Sequence, residues 1–235
     1  MKIVPDKSSV SIVILGSFNP AIFTPAWFFQ QGLISKEEFD SSEVEVVHRE
    51  LSIFKLQWLK IGVQQDRFSA TTEVSPYIRL NDLVLKTFGE LLTHTPLHTL
   101  GINRRVEFSV GTEIIRNKIG NMLAPPDVWG EWAKDITKGK ENAHGGMMHL
   151  VMQQMVFDDR HAGHIRADVR PSNISPSHIF LDTNDQYEIE NKEQPQGTEK
   201  IVKYLQENFE KCITRSEWII DQLMELKNVV ERSKG

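Results

Sequence analysis

The chain has 235 residues, 40% hydrophobic and 25% charged, which supplies a packed core and excludes the composition of a disordered segment. Twenty-seven Lys and Arg against 32 Asp and Glu leave a formal charge of −5, excluding a strong overall pull toward nucleic acid or anionic lipid. The lone Cys212 excludes an internal disulfide and a cysteine metal cluster, and no run approaches the ~20 apolar residues that cross a bilayer. Met1 to Lys7 carries acid and proline where an export signal would be apolar, so the expectation is a cytoplasmic protein without a membrane partner.

Ser11-Ile12-Val13-Ile14-Leu15-Gly16 is a continuous apolar run and predicts the first strand. Ala21 to Gln31 predicts a short helix stopped at Gly32, with Pro25 in its first turn. Three strands are expected over 43–50, 54–63 and 67–73. Ser75 caps a helix entered through Pro76, in which Leu80, Leu83, Val84, Phe88, Leu91 and Leu92 repeat at helical spacing.

Gly101 opens a strand in which Ile102, Arg104, Val106 and Phe108 share one face and Asn103, Arg105 and Glu107 the other. Thr112 caps a helix ended by Pro125-Pro126. Two prolines and four glycines in 125–146 read as a linker between an N-terminal half, 1–124, and a C-terminal half, 147–235. Further strands follow over 147–157, 164–170, 178–182 and 187–190. A final helix over 198–232 carries a seam of Ile201, Leu205, Phe209, Cys212, Ser216, Ile219, Leu223, Leu226 and Val230. Unbroken, it would be about 50 Å long, so a break near Ser216 or a projecting end is expected.

The order strand, short helix, three strands, helix occurs twice. The fold class is therefore α+β: an antiparallel sheet with helices on one face, arranged as a pseudo-twofold repeat of a β-α-β-β-β-α unit. A saddle of the TATA-box-binding-protein type is built that way, which is an analogy of fold and carries no function.

Asp158, Asp159, His161, His164 and Asp168, with His144, His149 and His178 near in sequence, are the densest set of metal-capable side chains. They support an alternative reading as a divalent-metal hydrolase, with His161 and His164 as ligands and Asp159 or Asp168 as base. The histidines fall in a turn rather than on one helix face, and no HExxH pattern is present. Glycine-rich phosphate loops and a nucleophile elbow are also absent, and Cys212 lies in a helix seam, so no cofactor is implied. Arg105, Arg116 and Lys118 form the alternative nucleic-acid set; without interleaved aromatics they read as ion-paired surface. The segment Asn19 to Phe29 concentrates Phe23, Trp27, Phe28 and Phe29, more aromatic surface than one short helix can hide.

Asn19-Pro20-Ala21-Ile22-Phe23, Gln65-Asp66-Arg67-Phe68 and Leu100-Gly101-Ile102-Asn103-Arg104 together resemble an uncharacterised family of bacterial proteins, sporadically distributed among genomes. The family pattern is a proline near the start, a DRF strand, a helix and an LG-hydrophobic-N-R strand, and the likeness spans residues 10 to 110. It transfers no catalytic residue. The patchy distribution resembles that of accessory genes in defence or toxin operons. The expected function is a non-enzymatic accessory or regulatory protein of a bacterial system. It would bind a protein partner, or itself, through Phe23, Trp27, Phe28 and Phe29 and through Ile219, Leu223 and Leu226 of the final helix.

Overall fold

In the computed structural model, which describes residues 4–136, 138, 145–155, 158–190 and 197–232, the first apolar run becomes β1 (Lys7–Gly16). Thr24 caps α1 (Pro25–Gln30) by accepting from the Trp27 amide, and Ser35 and Glu38 form a capping box on α2 (Lys36–Asp40). A meander follows: β2 (Glu43–Val47), β3 (Leu51–Lys55), β4 (Lys60–Gln64) and β5 (Arg67–Thr72). Then come α3 (Ile78–Lys86), β6 (Leu97–Ser109) and α4 (Glu113–Leu123). The short α5 (Ala133–Ile136), β7 (Leu150–Met155), β8 (Ala162–Pro171), β9 (His178–Glu188) and α6 (Gly197–Arg232) complete the chain.

The nine strands make one antiparallel sheet in the order β2-β3-β4-β5-β1-β6-β9-β8-β7. Read outward from its centre, β1-β5-β4-β3 on one side matches β6-β9-β8-β7 on the other, with β2 added to the first half. The pseudo-twofold repeat is therefore real in topology, and the halves meet at the β1–β6 pair. The stretch 125–146 joins α4 to β7 inside the second repeat instead of bridging two separate bodies.

Period-2 patterning puts Val10, Ile12 and Ile14 of β1, Leu100 and Ile102 of β6, and Tyr187 of β9 on the face that the helices cover. Ser11, Asn103 and Asn184 lie on the opposite face, where the Asn184 amide donates to Asn103 Oδ1 at 2.6 Å. One apolar cluster fills the first half and reaches Ile201, Leu205, Phe209 and Cys212 of α6. A second gathers Val106, Phe108, Ile115, Ile119, Ile179 and Leu181 with Ile220, Met224 and Val230 of α6.

Four expectations are corrected. The alternation of Phe54, Leu56 and Trp58 suggested one strand over 54–63, yet the chain turns at 56–59, closed by Leu56 N–H to Leu59 O at 2.7 Å. The Trp58 indole is held there by Glu38 Oε1. Conversely, polar Thr183, Asn184, Asp185 and Gln186 do not interrupt β9, because each pairs across to β6 and β8. Ser75 does not cap α3, which starts at Ile78 without a side-chain cap. Finally, α6 neither breaks nor projects: it crosses both halves and packs against both clusters, so its length matches the whole sheet rather than half of it.

A buried ionic network separates the two clusters. Arg160, from the loop before β8, donates to Asp185 Oδ1 at 2.5 Å, to Asp159 at 2.7 and 3.0 Å and to the Gln186 carbonyl at 2.8 Å. From α6, Arg215 donates to Asp185 Oδ2 and Asp159 Oδ2, each at 2.9 Å. The Arg160 guanidinium lies 3.8 Å from the centre of the Tyr187 ring. Two cations and two anions are thus satisfied around Asp185, which is 1% exposed. The hydrogen bond from Arg160, aided by Arg215 and opposed by burial, holds the Asp159 carboxyl well below the usual carboxylate range.

Removing one member leaves the others charged and buried. Asp185→Asn is expected to lower the free energy of unfolding by about 3–5 kcal/mol, measured by urea titration at neutral pH. The Asp159 contribution is present above its ordinary value of 3.8 and is lost as pH falls through its lower folded value. Asp159→Asn should therefore flatten the acid limb of the stability profile below 3.8, whereas an unchanged limb would place the acid sensitivity elsewhere.

Candidate partner interface

The aromatic segment expected to meet a partner is mostly core. Phe23 and Phe28 are fully buried, packing on Phe68, Phe88 and Phe54, and Trp27 is half-buried against the same cluster. Only Phe29 reaches the surface, and it stacks on Phe39 at 5.2 Å. The cause is the meander: β3 and β4 extend the sheet beneath α1 and supply the apolar floor that the local sequence did not reveal. Along α6 the buried positions after Ser216 are Ile220, Met224 and Val230, while Ile219, Leu223 and Leu226 are half-buried. Leu223 and Leu226 pack on the second cluster, alongside Ile115 and Ile119 of α4. Burial corrects the expectation of a partner surface at Phe23 and Phe28, and Leu223 and Leu226 belong to the core of the second half.

The proposed metal set is dispersed. Asp159 is taken up by Arg160 and Arg215, His161 pairs with Glu190, and His149 Nε2 meets Asp168 Oδ2 at 2.8 Å. His164 stands on the uncovered sheet face between Met155 and Gln186, and burial pushes its imidazole below the usual range. No three metal-capable side chains converge among the described residues, and His144 lies outside them. Cys212 is buried against the Tyr187 hydroxyl at 3.3 Å, and burial pushes its thiol up, away from thiolate chemistry. The basic set is split as well: Arg105 pairs with Asp182 at 2.8 Å on the uncovered face, whereas Arg116 and Lys118 lie on α4, across the sheet. Arg116 is also engaged by Glu113, Asn117 and the Pro176 carbonyl.

Val44 and Val47 are exposed on β2, but a larger exposed apolar set, Val128, Trp129, Trp132, Met148, Val151, Met152 and Met155, lies at the second edge of the sheet. After Pro125-Pro126 stops α4, a 3₁₀ turn over Pro126–Trp132 is kinked at Gly130, whose φ of 62° suits glycine. The turn presents Trp129 and Trp132, edge to face at 5.6 Å and 58% and 59% exposed. Gly145 packs against the Ile136 carbonyl with no room for a Cβ, and this close approach brings Met147 and Met148 opposite the tryptophans. Trp129, Trp132, Ile136, Met147, Met148 and His149 line a groove of about 580 Å³.

The groove runs directly into β7. This strand, Leu150-Val151-Met152-Gln153-Gln154-Met155, contains no charge, proline or bulge and, among the described residues, pairs regularly with β8 alone. Val151, Met152 and Met155 are exposed. The opposite edge is different: β2 carries Glu43 and Glu45, Glu45 pairs with Lys55 at 2.5 Å and Lys60 at 3.4 Å, and a bulge lies between Val44 and Val46. One edge is guarded and the other is not.

The available signals in the sequence were the two tryptophans inside a Pro- and Gly-rich stretch and the uncharged strand that follows. Neither was read as a surface, because edge position is set by long-range pairing. No protein-family model matches the chain, and no curated protein resembles it.

Burial separates the two aromatic sets experimentally. Phe28→Ala should cost about 3–5 kcal/mol by leaving a cavity, while Trp132→Ala should change stability by less than about 1 kcal/mol. Urea titration of the two variants checks this, and comparable losses would show that Trp132 is core.

Proposed function

We propose that the protein is a non-enzymatic, cytoplasmic accessory or regulatory subunit that binds a protein partner along the β7 edge and the groove beside it. The observation that carries this reading is an uncharged edge strand with Val151, Met152 and Met155 exposed, which directly follows in the chain the groove lined by Trp129, Trp132 and Met148. Surface of that kind, beside an unpaired strand edge, offers main-chain hydrogen bonds for affinity and an aromatic anchor point for specificity. Three of the four side chains of the candidate hydrolase, Asp159, His161 and Asp168, are engaged in separate pairs, which supports it indirectly.

The test is affinity capture from the source cells with the wild-type chain and with a Trp129→Ala/Trp132→Ala variant of unchanged circular dichroism. Proteins retained in stoichiometric amount by the wild type and lost at least about tenfold by the variant are expected, a loss of ~1.4 kcal/mol. Equal retention by both chains would remove the groove from the interface. Stoichiometric transition metal in the purified chain, lost in a His161→Ala/His164→Ala variant, would favour the hydrolase instead.

A further inference from the structure

We infer that the occupant of this edge is a second copy of the same chain, joined by antiparallel pairing of β7 with its symmetry mate. The inference rests on the reading of the β7 edge as an interface and adds the identity and register of the partner strand.

A twofold axis perpendicular to the sheet keeps the faces of both copies aligned, so residues paired across it must share a face. Val151, Gln153 and Met155 share the uncovered face, since they pair with Asp168, Arg166 and His164 of β8. Placing the axis at Gln153 pairs Gln153 with itself, Val151 with Met155 of the other copy, and Met152 with Gln154. Amide meets amide, aliphatic meets thioether, and no charge is set against a like charge. Placing it at Met152 would pair Met152 with itself but set both Val151 against Gln153 and Leu150 against Gln154, two apolar–polar pairings per strand where the Gln153 register has only that of Met152 with Gln154. The Gln153 register is therefore favoured.

At β2 the corresponding self-pairing would bring Glu43 and Glu45 of two copies together, which disfavours that edge.

Sedimentation velocity of the full chain up to about 100 µM, a range that captures weak interfaces of modest area, tests the proposal. Concentration-dependent doubling of mass is expected, weakened at least about tenfold by Gln153→Lys, which places two cations on the axis; circular dichroism checks that this variant folds. Independently, Gln153→Cys should form a disulfide-linked dimer under mild oxidation, whereas Gln154→Cys should not, because Gln154 faces Met152 of the mate. A wild-type chain that stays monomeric, or a dimer indifferent to Gln153→Lys, overturns the inference. If the chain stays monomeric while the Trp129→Ala/Trp132→Ala variant still loses a captured partner, the interface stands and its occupant is a different protein. If it dimerises as described and captures nothing else, the edge serves self-association alone.

Discussion

The β1–β6 pair is the constraint on which the molecule depends. Lys7 to Gly16 runs antiparallel to Glu107 back to Leu97, with one irregularity near Leu15, and this ladder turns two half-sheets into one. Because the pairing consumes the first strand of each repeat, both repeats point their meanders outward, and the free edges fall at β2 and β7. It also fixes the length of α6, which must cross both halves to close the apolar face. A helix of ~54 Å is therefore a consequence of the central pair, since only the joined sheet is wide enough to cover it.

The joint brings a polar problem with it. Where the two apolar clusters approach each other, the covered face carries Arg104 on β6, Thr183 and Asp185 on β9, and Arg215 and Ser216 on α6. Arg104 is 6% exposed; its Nη1 donates to neutral acceptors, Ser8 Oγ at 2.7 Å and the carbonyls of Ser9 and Arg105, while its buried Nε is left without a hydrogen-bond partner. Its guanidinium also faces the Tyr77 ring at 5.1 Å. Asp185 is satisfied by two guanidiniums. Networks of this kind contribute little net stability when intact and cost much when broken, so their effect is to fix how β8, β9 and α6 meet. Gly163 allows it: with φ of 141° and the Gln186 carbonyl against its Cα, it lets the loop carrying Arg160 pass under the sheet.

Much of this was legible in the sequence because it is periodic. The alternation of Ile102, Arg104, Val106 and Phe108, the steps of Leu80, Leu83 and Val84, and the repeated order of elements identify the sheet, the helices and the pseudo-twofold plan. What failed was non-local. Asp159 looked like a metal base because Arg215, distant in sequence, gave no sign of reaching it. Phe23 and Phe28 looked like surplus because the floor formed by Phe54 and Phe68 belongs to strands whose position depends on the register. Trp129 and Trp132 were read as linker, since only the sheet order makes the next strand an edge. The motif likeness over residues 10 to 110 covers β1 to β6, whereas the proposed interface lies in the second repeat.

The asymmetry between the two edges sets how far association can proceed. A sheet with two bare edges can add copies at both sides and grow without limit, which is the route to fibres. Here β2 is shortened, bulged and acidic, and Lys55 and Lys60 hold Glu45 beside it, so pairing of β7 with β2 of another copy would desolvate those charges. Pairing of β7 with β7 desolvates none within the strands and uses up the bare edge of both chains at once. The extra strand that distinguishes the first repeat from the second therefore has a physical consequence: it caps one side of the sheet. In the proposed dimer, association through the other side closes after a single step, so the apolar side chains of β7 would be exposed in the monomer without committing the protein to aggregation.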